Sequence, residues 1–467
     1  MRIQHFAMHL LLGVLPSVSS AEALFDMDAI RAADTLEIKV LQDWHQASGR
    51  VSTRQKLVSI HVGDLWPGQE YRVPVRMVVP VSRKAKGFHL TGSSTPSRLE
   101  QVIRPNAWEQ ELLEGGVGLV YTVVQEPGSY GQGRMAREAE ARFAKTLNPR
   151  YKIQYWAWPA TLMRAVTTAY AEVEYFEPGK VALTGGSKNG ASPSMAIIHD
   201  ERMTAVHATV SPIWDSPLRL CDPAAREIHR GNGGKQRGFS GGHFGPNFNQ
   251  GALDAGRTWE DLQTFVQNIS DDVFVSRNLE SLRNRRVDML FHPGTHDFVA
   301  YDMAWGGAHH QNIPVYLGAN TGHGKKGHPQ RERDEANKAA FMLQHFFPDQ
   351  IEGALLVPPS IETKRSEQML KISVRFSEDA GEESGRIWWM FDRAPDGSPK
   401  YLSELIPNAN TREMQHDPEQ GSWRTEISLP RDASRIDIFS NHRKTIRYRG
   451  REYRTYISSP YTRVNIR

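Results

Sequence analysis

Residues 115–125, GGVGLVYTVVQ, carry apolar side chains on both parities with no polar alternation. A run of that kind can be a strand only if both of its faces are covered, which is the condition in a parallel sheet layered with helices. Similar runs recur at GFHLTGSS (87–94), VALTGG (181–186), TAVHATVS (204–211), VDMLFHP (287–293) and IPVYLGA (313–319). Between them lie stretches with helical spacing. WPATLMRAVTTAYAEVEYF repeats Leu162, Val166, Ala169 and Val173, ASPSMAIIHD follows the third run, and RDEANKAAFMLQHFF (333–347) closes the series. Strand and helix alternate from about residue 85 to 347, the pattern of a doubly wound α/β domain.

The flanks read differently. Residues 29–50 read as a polar-faced helix, and LVSIHVGDLWPGQEYRVPVRMVVPV reads as a hairpin turning at Pro67-Gly68. Residues 212–286 interrupt the alternation with a glycine-rich stretch, and an excursion of that length between core strands reads as a lid. After LLVPPS the texture becomes short strands without a helix (KISVRF, RIWWMFD, SWRTEISLP, RIDIFS, YRTYISS), the pattern of a small β-sandwich. The expected organisation is a signal peptide over 1–21, an α/β domain over 22–352 with its lid at about 212–286, and a β-sandwich over 353–467.

The signal-peptide reading rests on Arg2, the apolar run from Leu10 to Val18 and the small residues Ser19 and Ala21. It predicts a secreted or periplasmic protein. With Cys221 as the single cysteine among 467 residues, no intramolecular disulfide is possible and the core alone must hold the fold. Lys and Arg number 57 against 53 Asp and Glu, a formal charge of +4 spread along the chain. No basic face with interleaved aromatics in a known module appears, so a nucleic-acid partner is not expected. No run approaches the roughly 20 apolar residues of a membrane span.

The chemistry gathers at VALTGGSKNG (181–190). A serine at the bend between a parallel strand and its following helix is forced clear of the sheet, and its neighbours must be small so that strand and helix can approach. Gly185 and Gly190 meet that need, Asn189 occupies the place of the usual second glycine, and Asn tolerates left-handed angles. A phosphate loop would need G-x-x-x-x-G-K-[ST] and a dinucleotide loop G-x-G-x-x-G, and neither is present. Ser187 is therefore the candidate nucleophile. In this chain order an acid and then a histidine should follow on late loops. Asp297, in FHPGTHDF, and His323, in LGANTGHGKKGH, lie there. Asp302 competes for the acid's part, and His296, His309, His310 and His328 compete for the base's. The oxyanion would be met by the Lys188 N–H and one from the stretch Leu90, Thr91 to Ser93. Trp214, Trp305, His243 and Phe244 are candidates to line the pocket. No HExxH or comparable pair calls for a metal, and no cofactor is expected.

The elbow GGSKNG, the following DERMTAV, the preceding TLMRAVTTAYAEV and the GTHDF segment resemble the PhoPQ-activated pathogenicity-related proteins, exported bacterial proteins of α/β-hydrolase fold whose elbow reads G-x-S-K-R-G. The elbow is also similar to that of glucuronoyl esterases, G-C-S-R-N-G, where the basic residue assists at the oxyanion. The resemblance implies triad positions for Ser187, Asp297 and His323 and the assisting one for Lys188. The expected activity is a serine hydrolase acting on a small-molecule, sugar or peptide ester. The alternatives are a non-catalytic binding protein on the same fold and a serine aminopeptidase.

Overall fold

The computed structural model describes residues 23–124, 134–209, 213–231, 250–297, 302–323, 329–396 and 398–467. The expected signal peptide lies outside them. An eight-stranded mixed sheet runs through the first part of the chain. Its strands are β1 (Lys39–Ala47), β2 (Thr53–Trp66), β3 (Gln69–Pro80), β4 (Ala85–Thr91), β5 (Gly118–Thr122), β6 (Phe176–Gly186), β7 (Ala205–Thr209) and β8 (Asp288–His292). They lie in the order β1-β2-β3-β5-β4-β6-β7-β8. The first three and the β3–β5 pair are antiparallel, and every later pair is parallel. This is the strand order of an α/β-hydrolase sheet, with β1 added at one edge.

The missing alternation of the central strands has its cause in two cores. In β5, Val120 points into one hydrophobic cluster together with the helix Ala157–Ala171. Leu119 and Tyr121 point into a second cluster with the helices Ala107–Glu114 and Pro329–Phe346. Val181 and Leu183 of β6 divide from Ala182 in the same way. Each fully buried Val or Leu contributes roughly 1.5–3 kcal/mol of transfer free energy, so both parities are mainly apolar, with His89, His207 and His292 among their buried polar residues.

Four expectations are corrected. Residues 29–50 are not one helix: a short helix, Met27–Arg31, gives way to β1. An edge strand satisfies its backbone against one neighbour and buries little, so β1 lacks the apolar alternation that marks a strand in sequence. The helix after Trp156 stops at Ala171, leaving Val173 66% exposed beyond its end. The run 313–319 is no full strand, and it follows β8 through isolated parallel bridges at Phe291–Val315 and Gly294–Gly318. The described part of the 212–286 insertion is not all cover. Leu262, Phe265, Val266, Phe274 and Leu282 belong to the main core.

Beyond residue 350 two antiparallel sheets face each other. One holds Ser360–Ser366, Met369–Arg375, Ser422–Ser428 and Gln415–Asp417, and the other is built on Ser384–Phe391, Arg435–Tyr448 and Arg451–Ser458. Leu370, Ile372 and Val374 of the first pack with Ile387, Trp389, Ile436 and Ile438 of the second. One short helix, Pro399–Ser403, departs from the helix-free expectation. The second sheet abuts the α/β part: the Ser458 N–H donates to Val315 O (2.9 Å), and the Leu317 N–H donates to Ser458 Oγ (2.7 Å). Among the described residues no helix is long and apolar enough to cross a membrane.

Candidate active site

β6 ends at Gly186 and the next helix begins at Lys188, so Ser187 alone makes the turn. It does so at φ 60°, ψ −124°, a left-handed conformation that a residue with a Cβ adopts only under strain. That turn is held: the Ser187 N–H donates to Thr209 O (2.9 Å), and Ser187 O accepts from the N–H groups of Gly190 and Ala191 (both 2.8 Å). The glycine displaced by one position proves to be the one the packing needs. A Cβ on Gly190 would meet Thr209 O at 2.6 Å and Gly185 O at 3.2 Å, and one on Gly186 would meet Thr209 Oγ1 at 2.6 Å. Asn189 sits in the first helical turn, so its tolerance of left-handed angles is not called upon; Ser187 takes that conformation instead. Gly190→Ala is expected to cost about 1–3 kcal/mol because the obstructing atoms are backbone. Thermal unfolding checks this, and an unchanged midpoint would contradict the close approach.

The three sequence-predicted residues meet. Ser187 Oγ lies 2.7 Å from His323 Nε2, and His323 Nδ1 lies 3.3 Å from Asp297 Oδ1. Asp297 is fully buried, while the His323 side chain keeps 36% exposure. A buried carboxylate accepts from Nδ1–H, which leaves the Nε2 lone pair toward the serine hydroxyl. All three stand on loops after the C-terminal ends of β6, β8 and the 313–319 run, one rim of the sheet.

The competitors are engaged elsewhere. Asp302 is buried in an ion pair with Arg219, at 2.8 Å from Nε and 3.2 Å from Nη2, and accepts from Ser216 Oγ at 2.7 Å. His296 is buried between Thr295 Oγ1 (2.9 Å) and Glu404 O (2.7 Å). Burial, helped by the Arg393 charge, pushes its imidazole down to about 4. His309 stacks on Trp305 with ring centroids 4.4 Å apart, and His310 Nε2 lies 3.3 Å from Asp215 Oδ1. His328 lies outside the described residues. Burial also pushes the Cys221 thiol up to about 12, which removes it as a nucleophile.

The other predicted residues divide. Leu90 and Thr91 lie within β4 and pair on both sides, with β5 and β6, so their peptide groups are directed into the sheet rather than off its edge. Of that stretch, Ser93 has left the strand; it makes an isolated bridge to Val123, and its N–H donates to Thr91 Oγ1 at 3.3 Å. The Lys188 N–H opens a helix, where the first N–H groups have no intrahelical acceptor. Trp214 is buried, at 4% exposure: a Cβ on Gly306 would strike its indole at 2.3 Å, and with Met303, Ile313 and Tyr461 it lines a small cavity. Trp305 lines an apolar cleft of about 300 Å³ with Pro217, Leu218, Ile228 and Pro395. His243 and Phe244 lie outside the described residues.

One group among the described residues could gather a metal ion: His207, His292 and Asp334, all buried, with ligand atoms within 4.8 Å of one another. His292 Nδ1 is 2.7 Å from Asp334 Oδ1, and Asn337 Nδ2 donates to His292 Nε2 at 2.9 Å. The group ties the helix Pro329–Phe346 to β7 and β8.

Sequence reasoning passed over Arg219, Asn320 and Arg393, which hold the loops of the site. Only Asn320, in the small-residue stretch GANTG, carries a local signal, since Asn suits its φ of 55°.

No family model matches the chain, and no curated protein matches it. Solved structures with similar chain paths include acetyl xylan esterase 1 from Thermoanaerobacterium sp. JW/SL YS485, at 15% identity over 68% of this chain and 93% of that one, TM-score 0.37. A CE15 glucuronoyl esterase from Teredinibacter turnerae matches at 14% identity over 67% and 79%, TM-score 0.40. Tannin acyl hydrolase from Aspergillus niger matches at 9% identity over 77% and 90%, TM-score 0.38. At such values the likeness is one of chain path, and the assignment of this chain to the α/β-hydrolase fold rests on its own strand order.

Proposed function

We propose that this protein is a serine hydrolase that cleaves an ester through an acyl-enzyme. The observation that carries the reading is the 2.7 Å approach of Ser187 Oγ to His323 Nε2 from a backbone turn at φ 60°. Ser187 Oγ attacks the carbonyl carbon while its proton passes to His323 Nε2. Asp297, accepting from Nδ1–H, stabilises the imidazolium so formed. The carbonyl oxygen, now negative, takes hydrogen bonds from the Lys188 N–H and from the turn around Ser93, at the positive end of the helix Lys188–His199. Collapse of the tetrahedral adduct expels the alcohol with the proton from His323. Water, deprotonated by the same imidazole, then releases the acid and restores Ser187.

Membership of the PhoPQ-activated pathogenicity-related proteins, and export directed by residues 1–21, belong to the same proposal and rest on the sequence features above.

The test is a fluorophosphonate probe followed by mass spectrometry of the tryptic peptide 181–188. The expected result is one phosphonylated serine, absent in Ser187→Ala and strongly slowed in His323→Ala. Folded wild-type protein whose Ser187 stays unmodified would replace the enzyme by a binding protein on this fold. Release of amino-terminal residues from peptides, without turnover of p-nitrophenyl esters, would make it a peptidase.

A further inference from the structure

The loops that bear Asp297 and His323 are stitched to each other. The Thr295 N–H donates to Gly318 O (2.9 Å), the His296 N–H to Thr321 O (2.9 Å) and the Asn320 N–H to Thr295 Oγ1 (2.8 Å). A Cβ on Gly294 would meet Thr321 O at 2.4 Å, so the two backbones are in contact. Neither loop belongs to a strand here, because beyond β8 the sheet is reduced to isolated bridges. Something other than the ladder must hold them.

What holds them comes from far along the chain. Arg393, fully buried, donates through Nη2 to Thr295 O and to Tyr401 O (3.2 Å), while Nη1 reaches Tyr461 Oη (2.7 Å). Its guanidinium lies 3.6 Å from the centroid of the Tyr401 ring, and Tyr461 Oη donates to Asp437 Oδ2 (2.9 Å). His296 Nε2 stands 2.7 Å from Glu404 O. Asn320 forms a two-way pair with Ile406, its Nδ2 donating to Ile406 O and its Oδ1 accepting from the Ile406 N–H, both at 2.9 Å. Thr295 and His296 of the acid loop and Asn320 of the base loop are thus bonded to one element, residues 398–406 together with Arg393.

We propose that this element, carried by the C-terminal sheets, is a clasp that sets the separation of Asp297 from His323, with Asn320 and Arg393 as positioning residues. The inference rests on the catalytic reading of Ser187, His323 and Asp297. It gives the C-terminal sheets a part in turnover although, among the described residues, their side chains make no hydrogen bond to Ser187 Oγ or the His323 ring. The 3.3 Å between His323 Nδ1 and Asp297 Oδ1 is already at the long end of a working hydrogen bond, so little further slack is tolerable. The clasp is also selective in chemistry. Only a side chain with an amide's donor and acceptor can return both bonds of Ile406, and only Asn combines that reach with a φ of 55°.

Asn320→Gly tests this cleanly, because glycine accepts the left-handed angle while losing both bonds. On a p-nitrophenyl ester, kcat is expected to fall about 10- to 100-fold with KM within about twofold of wild type, the pattern of a displaced catalytic group rather than a damaged binding pocket. Asn320→Asp, which keeps the acceptor alone, should fall between. Native-state amide exchange should quicken in peptides covering 294–297 and 318–323. Wild-type kcat in folded Asn320→Gly overturns the proposal, and so does unchanged exchange in both loops. If wild-type protein is neither labelled at Ser187 nor active on esters, the catalytic reading fails on that result alone, and exchange still decides whether the clasp ties the loops.

Discussion

Ser187→Ala and His323→Ala are each expected to lower kcat by on the order of 10⁶-fold, and Asp297→Asn by about 10⁴-fold. The difference follows from their parts. Without the hydroxyl or the imidazole there is no nucleophile or no base, whereas an amide at 297 leaves the geometry and removes only the charge that orients Nδ1–H and balances the imidazolium. On the proposed mechanism the three act as one unit, so the Ser187→Ala/His323→Ala double variant should be no slower than either single one. Stability should barely change in Ser187→Ala, since alanine inherits the same φ 60° turn and the same backbone bonds to Thr209 and Ala191. Steady-state kinetics on a p-nitrophenyl ester, with circular dichroism as a fold check, would decide. An Asp297→Asn variant of full activity would mean that the orienting carboxylate lies elsewhere.

The second large effect is on stability. Asp302→Ala should cost about 3–5 kcal/mol, because it removes the carboxylate that the buried Arg219 guanidinium meets through both Nε and Nη2. Arg219 and Asp302 keep 0% and 1% side-chain exposure, so solvent screening gives little relief. Ser216 Oγ would lose its acceptor in the same step. Replacing both members by apolar residues of similar volume should recover much of the loss, since removing an ion pair whole is far cheaper than halving it. Urea unfolding of Asp302→Ala, Arg219→Met and the double variant measures this. The reading is refuted if Asp302→Ala unfolds with the wild-type midpoint and loses catalysis instead, for that is the behaviour expected of the triad acid.

Asp297 and Asp302 show where sequence reading stops. Both stand shortly after the same strand, and apart from the resemblance of GTHDF, which favours Asp297, the spacing in FHPGTHDFVAYD does not separate an orienting carboxylate from a structural one. The distinction is made by Arg219, 83 positions away, which takes Asp302, and by His323, 26 positions away, which meets Asp297. The glycines of the elbow give a milder case. That the turn needs small residues is local, but that Gly190 is the necessary one depends on the carbonyl of Thr209 in the neighbouring strand.

The run of parallel strands, the turn at Ser187 and the β-rich character beyond residue 355 were legible because each is written in neighbouring residues: a double-sided apolar run, a bend requiring special backbone angles, short strands between turn residues. β1 was missed because an exposed edge strand owes its existence to β2 rather than to its own pattern. Which carboxylate faces the imidazole, which tryptophan is core and what holds the rim loops were decided by contacts between segments far apart in the chain. Periodicity records only whether a side chain is covered; the partner that covers it is a property of three dimensions.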